Sequence, residues 1–145
     1  MNPDFEALLE ELIAADARFL VVGAYALAHH ARPRATGDLD LLVEPTPENA
    51  ARVHRALLAF GAPVSDLTVD ELSKPDLVFQ IGVEPRRIDI LTSLTGVRFD
   101  DAWESRARGT LGRVSCSFLG RDALIRNKRA LGRPRDLADL EALGE

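Results

Sequence analysis

Two carboxylates stand one residue apart in the run Asp38-Leu39-Asp40-Leu41-Leu42-Val43. The strand formers around them predict a β-strand over 38–43, where alternate side chains share a face. Asp38 and Asp40 therefore project together, about 7 Å apart along the strand, while Leu39 and Leu41 turn to the other side. Two ionised carboxylates so placed repel each other, and a divalent cation relieves the repulsion. Hard oxygen donors suit Mg²⁺ or Mn²⁺, and Mg²⁺ usually takes one or two carboxylates and fills its shell with water and substrate phosphates. A solvent-facing polar edge strand accounts for the same two residues without a metal.

The neighbourhood adds to the metal reading. If the extended backbone runs back through the preceding loop, Arg34, Thr36, Asp38 and Asp40 lie on one face. Upstream, the apolar strand Phe19-Leu20-Val21-Val22 meets Gly23 and then a short helix over 24–30. A glycine at such a turn lets the backbone approach a ligand, and a helix N-terminus favours phosphate. Gly23, Ala24 and Tyr25 are thus candidate nucleotide contacts, with Tyr25 available to stack on a base. Downstream, Asp89 sits between Ile88 and Ile90, where an unpaired carboxylate is costly to bury. Either a shared metal with Asp38 and Asp40 or a salt bridge to Arg86 or Arg87 satisfies it.

These residues together resemble the signature of the DNA polymerase β-like nucleotidyltransferase superfamily. There a Gly-Gly or Gly-Ser turn precedes an Asp-x-Asp or Asp-x-Glu pair, and a later strand supplies a third carboxylate. Gly23-Ala24, Asp38-Leu39-Asp40 and Asp89 fill those places. The stretch from Val21 to Asp40 is similar to a small bacterial branch that includes toxins of toxin–antitoxin systems. The tail agrees: Lys128, then Gly132-Arg133-Pro134-Arg135-Asp136 and Asp139-Leu140, resembles that branch's C-terminal Lys…Arg-x-Lys-Asp pattern. The resemblance implies a Mg²⁺-dependent (or Mn²⁺-dependent) transfer of a nucleoside monophosphate from a nucleoside triphosphate to a hydroxyl. Asp38, Asp40 and Asp89 would be the catalytic metal ligands, and an antitoxin would be a possible partner. Two positions depart from the pattern. Ala24 replaces the second Gly or Ser, so no hydroxyl is available to a phosphate oxygen, and Arg135 stands where the branch often has Lys.

Lys128 also has a helical argument of its own. At 100° per residue it lies about 40° from Leu124, between Leu131 and Ile125, in the middle of an apolar stripe. A lysine there must reach water or meet an anion. A triphosphate in a cleft is one such anion; Asp136, in the first turn of the next helix, is the other. The remaining reactive side chains read as structural. His29, His30 and His54 lack zinc-ligand spacing. Cys116 reads as a small core residue, and Trp103 as a core aromatic.

The elements that must position these groups alternate. The pattern predicts a helix from Pro3 carrying Phe5, Leu8, Leu9, Leu12 and Ile13, then the strand over 19–22 and the helix over 24–30. The strand over 38–43 and a helix from about 47 to 60 follow. A loop with a helical turn near 70–73 leads to strands over 77–83 and 87–91. Last come a helix over 99–106, a strand over 111–118, and helices over 121–131 and from 134 to about 143. This is an α/β (α+β) domain: a small mixed sheet flanked by helices, nucleotidyltransferase-like, with a C-terminal helical pair.

The chain of 145 residues suits one domain. Its single cysteine fits a reducing, cytoplasmic setting, its acidic start is unlike a signal peptide, and no apolar run is long enough to span a membrane. The net charge of −5 is uneven. Residues 1–105 are acidic, 106–135 carry nine basic side chains against one acidic, and the last ten residues are acidic again. A basic segment on an acidic body suits an anionic ligand and slightly favours an RNA acceptor over a protein hydroxyl or a small molecule. Two further readings stay open: a catalytically degenerate nucleotide-binding or partner-binding module, and an Asp-x-Asp glycosyltransferase, for which the chain is short.

Overall fold

The protein is described by a computed structural model covering residues 2–31 and 37–145. Helix α1, Pro3–Ala14, starts where the Asn2 side chain accepts a hydrogen bond from Asp4 N at 2.9 Å, and it buries Phe5, Leu8, Leu9 and Leu12. Strand β1, Phe19–Val22, feeds helix α2, Gly23–His30, with no residue between them. Strand β2 is Leu39–Val43, so Asp38 stands just outside the strand expected to begin with it. Helix α3, Pro47–Phe60, is capped by Thr46 and stopped by Gly61 in the left-handed region. The turn expected near 70–73 is helix α4, Val69–Leu72, fixed by a capping box of Thr68 and Glu71. Strands β3, Val78–Ile81, and β4, Ile88–Leu91, are shorter than their apolar runs. Then come helix α5, Phe99–Glu104, strands β5, Ala107–Leu111, and β6, Val114–Phe118, and helices α6, Arg121–Leu131, and α7, Pro134–Ala142.

One expectation fails here. The single strand over 111–118 is the second half of a hairpin, and β5 is an additional strand at the sheet edge. Gly112 at φ +60 makes the turn beside Arg113. The sequence Ala-Arg-Gly-Thr-Leu of β5 alternates, but its inward positions are Ala107, Gly109 and Leu111, and only the last is a large apolar residue.

The six strands form one mixed sheet in the order β3-β4-β2-β1-β6-β5. β2 runs antiparallel to β1 and parallel to β4, and β1 runs parallel to β6. This is not the doubly wound parallel sheet of an Asp-x-Asp glycosyltransferase. The two faces divide by residue parity. Phe19, Val21, Leu39, Leu41, Val43, Ile88 and Ile90 pack against α1 and α3, whereas Leu20, Val22 and Leu42 pack with α2, α6 and the end of α7. The apolar set on the first face locks the register of β2, because a slip by one residue would bury Asp40 and expose Leu39 and Leu41. Asp40 is thereby fixed on the α6–α7 face. Among the described residues no helix is long and apolar enough to cross a membrane.

Candidate active site

The end of β1 and the starts of β2 and β4 lie side by side. Val22 pairs with Asp40, and Asp40 pairs with Asp89 across the parallel β2–β4 ladder. Asp40 and Asp89 therefore face the same way from adjacent strands, which periodicity within either strand could not state. Gly23 turns the chain from β1 into α2 at φ +65, a conformation that a side chain disfavours. Asp40 fills the space that a side chain at Gly23 would need: an added Cβ would collide with Asp40 Oδ2 and lie 3.1 Å from its Cγ. The glycine thus places the N-terminus of α2 against a carboxylate.

Burial raises the Asp40 carboxyl to a pKa of about 7, helped by the charge of Asp89, a hydrogen bond shared with Asp89 and the charge of Asp38; Arg87 opposes the shift. Asp38 does not complete a three-carboxylate cage. Its Oδ1 accepts from the backbone N of Arg87 at 3.0 Å, and its Oδ2 lies 3.3 Å from Nη2 of the same residue. The Arg87 guanidinium also donates to both oxygens of Asp89, at 2.8 Å from Nε and 3.3 Å from Nη2, and to Glu84 at 2.9 Å. Among the described residues no group of three or more His, Cys, Asp or Glu side chains is arranged to hold a metal ion. Asp40 and Asp89 stand side by side, and Arg87 bridges Asp38 and Asp89 rather than leaving three bare carboxylates against one another. The cause is electrostatic: three carboxylates without a counter-charge would repel, and Arg87 supplies the counter-charge. Two hard oxygen donors on adjacent strands beside an anion-accepting helix start still fit a Mg²⁺ that takes its other ligands from water and phosphate.

A cavity of about 280 Å³ opens beside Asp40, bordered by Gly23, Ala24, Asp40, Leu91, Lys128, Arg133, Arg135 and Asp139. Lys128 does project into the cleft wall, but it already has anions. Its Nζ is 3.0 Å from Asp139 Oδ2 and 3.6 Å from Asp136 Oδ1, with the lysine and both aspartates buried. Arg133 grips Asp136 through Nε at 2.6 Å and Nη2 at 3.1 Å, and its backbone N adds a third bond. The Arg133 hydrogen bonds, backed by its charge and by Lys128, hold the Asp136 carboxyl down at about 2. The α6–α7 corner is therefore a network of two cations and two anions; the sequence offers the Lys128–Asp136 pair and places Arg133 and Asp139 in the tail pattern, but not as partners of Asp136 and Lys128. Their signal was the crowding of charge on both sides of Pro134.

The structure puts Tyr25 elsewhere. Its ring meets Phe5 edge-on at 6.0 Å, and it borders a separate depression with Pro85 and Arg86, away from the cleft. Arg34 and Thr36 lie outside the described residues. His30 bonds the carbonyl of Leu119 at 2.7 Å and His29 stacks on Phe118, as structural histidines. Cys116 is buried, and burial pushes its thiol up to about 11. A larger depression, about 710 Å³, lies past the other end of β4 around Leu42, Leu77, Thr92 and Phe99, and none of the three carboxylates borders it.

The fold these elements define is nucleotidyltransferase-like. Among solved structures, the chain is similar to a Thermotoga maritima protein described as a "putative nucleotidyltransferase", with a TM-score of 0.61 and 13% identity over 97% of this chain and 92% of that one. No protein-family model and no curated protein sequence matches the chain.

Proposed function

We propose that this chain is a Mg²⁺-dependent nucleotidyltransferase that moves a nucleoside monophosphate from a nucleoside triphosphate to a hydroxyl acceptor. One observation carries the reading: Asp40 packs onto the bare Cα of Gly23, with Asp89 beside it in register. That arrangement sets two carboxylates against a helix start, where a metal-bound triphosphate needs both. In the reaction the acceptor hydroxyl loses its proton to solvent as its oxygen attacks the α-phosphorus, and the bond to the departing pyrophosphate breaks. Asp40 and Asp89 would hold the metal, and the backbone N–H groups at the start of α2 would receive phosphate oxygens. Arg135, across the cleft, adds positive charge for the leaving group. Mg²⁺, when bound, lowers the pKa of the acceptor hydroxyl and neutralises charge on the pyrophosphate.

The likeness of the tail to toxin nucleotidyltransferases makes RNA or protein the first acceptors to test, and an antitoxin the partner to seek. Such a reaction belongs in the cytoplasm, where nucleoside triphosphates and Mg²⁺ are abundant. The test is incubation with each α-³²P-labelled nucleoside triphosphate, Mg²⁺ and either total RNA or total protein. Label should move to one acceptor class with one preferred nucleotide, and Asp40→Asn with Asp89→Asn should abolish it.

Ala24 favours a second reading, a degenerate member that binds a nucleotide without transferring it, since no hydroxyl stands there to hold a phosphate. In that case the nucleotide raises the melting temperature of the chain but no pyrophosphate is released. A ligand at about 100 times its Kd adds about 2.7 kcal/mol, enough to read as several degrees.

A further inference from the structure

Arg87 is the feature that this function does not use. It follows directly from the β3–β4 turn, and its guanidinium spans three carboxylates: Asp89 at 2.8 Å, Glu84 at 2.9 Å and Asp38 at 3.3 Å. Asp38 and Asp89 are two of the three carboxylates that the sequence led us to expect around one metal with Asp40. A guanidinium between two carboxylates occupies the place and supplies the charge of a cation. Glu84 differs from the other two partners. It lies in the turn, its side chain is 70% exposed, and it holds the Nη1 end of the fork. A swing of the arginine toward Glu84 therefore keeps one ion pair while releasing Asp38 and Asp89.

We infer that Arg87 is a resident cation of the carboxylate cluster: it holds Asp38 and Asp89 in the metal-free protein, competes with the divalent ion, and moves onto Glu84 when that ion enters. This rests on the proposed metal site. It assigns to a residue of this chain the task of stabilising an empty cluster that would otherwise be three neighbouring carboxylates. It also makes metal affinity a property set by an intramolecular competitor as well as by the ligands.

The experiment is titration of the full chain with Mn²⁺ alone, without nucleotide, followed by the electron paramagnetic resonance signal of free Mn²⁺. Arg87→Gln should tighten Mn²⁺ binding on the order of 10–100-fold, the range expected when charge-assisted bonds no longer compete for the ligands. Arg87→Lys keeps the charge without the fork and should tighten it less, which covers the case of a glutamine variant that folds poorly. Glu84→Gln should weaken binding by about two- to fivefold, as for an exposed pair, and should have no effect once Arg87 is Gln. Arg86→Gln is the control: it removes the same charge from the neighbouring exposed residue, which has no ion pair with the cluster, and should shift affinity less than threefold. Equal effects at Arg86 and Arg87, or unchanged affinity in Arg87→Gln, would overturn the inference and leave the metal site standing. Failure of wild type and all variants to bind Mn²⁺ would instead overturn the metal site itself.

Discussion

Gly23→Ala perturbs the one contact on which the functional reading rests. The added methyl faces two separate penalties. Alanine at φ +65 costs about 1–2 kcal/mol, because its Cβ crowds the following carbonyl. The methyl also overlaps Asp40 Oδ2 and approaches Asp40 Cγ to 3.1 Å and Cβ to 3.2 Å, so the carboxylate must leave its rotamer, at about 0.5–1.5 kcal/mol. Gly132 separates the two terms. Its φ of +61 nearly matches, but a Cβ there meets nothing closer than the Arg129 carbonyl at 3.6 Å. Gly132→Ala should therefore show the conformational term alone, and Gly23→Ala that term plus the displacement of Asp40. In urea unfolding the expected losses are about 1–2 and about 2–3 kcal/mol. For a domain of this size the larger loss corresponds to roughly 4–10 °C in Tm. Only Gly23→Ala should also weaken Mn²⁺ binding, since it moves a ligand. Equal losses in the two variants with unchanged Mn²⁺ affinity would refute the placement of Asp40 against the turn.

Three further outcomes follow from the same geometry. Lys128→Met should destabilise the chain by about 2–3 kcal/mol in urea unfolding, below the 3–5 kcal/mol of a fully orphaned buried charge, because Arg133 still holds Asp136; a loss under about 1 kcal/mol would show that the Lys128 pairs do not matter for stability. Asp136, depressed to about 2, contributes stability that is complete above pH 4 and lost as pH falls toward 2; Asp40, raised to about 7, contributes the opposite slope, with stability lost as pH rises from 4 to 7. Melting temperatures across pH 2–8 in metal-free buffer should show both limbs, with Arg133→Gln flattening the acid limb and Asp40→Asn the neutral one. Cys116, buried with its thiol raised to about 11, should resist thiol reagents at pH 7 until the chain unfolds, and rapid labelling of native protein would contradict that burial.

Much of this molecule is legible locally. The helices announce themselves through Pro3, Thr46, Pro47, Gly132 and Pro134, whose side chains or backbone freedom set helix ends by interactions within a few residues. The pairing of a glycine turn with Asp38-Leu39-Asp40 is likewise local, and together with Asp89 and the C-terminal tail it resembles a nucleotidyltransferase signature. Strand β5 is hard to read from sequence because, of its inward positions Ala107, Gly109 and Leu111, only the last carries a large apolar side chain.

What the sequence by itself determined is which side chains each element presents: Asp40 opposite Leu39 and Leu41, Asp89 opposite Ile88 and Ile90, Lys128 on the buried stripe of α6. That follows from backbone periodicity, which is the same in any fold. What only the tertiary structure decided is which of these groups meet. The parallel register of β2 with β4 brings Asp40 to Asp89, and the antiparallel register with β1 brings Asp40 to Gly23. The docking of α7 on α6 gives Lys128 to Asp139 and Asp136, and the turn before β4 drops Arg87 between Asp38 and Asp89. The strand pairings join distant segments, while Arg87–Asp89 and Lys128–Asp136 are nearer pairings that the sequence offered as alternatives; the choice is settled by whole-face burial and by the need of each buried charge for a partner. No window of the sequence contains either requirement.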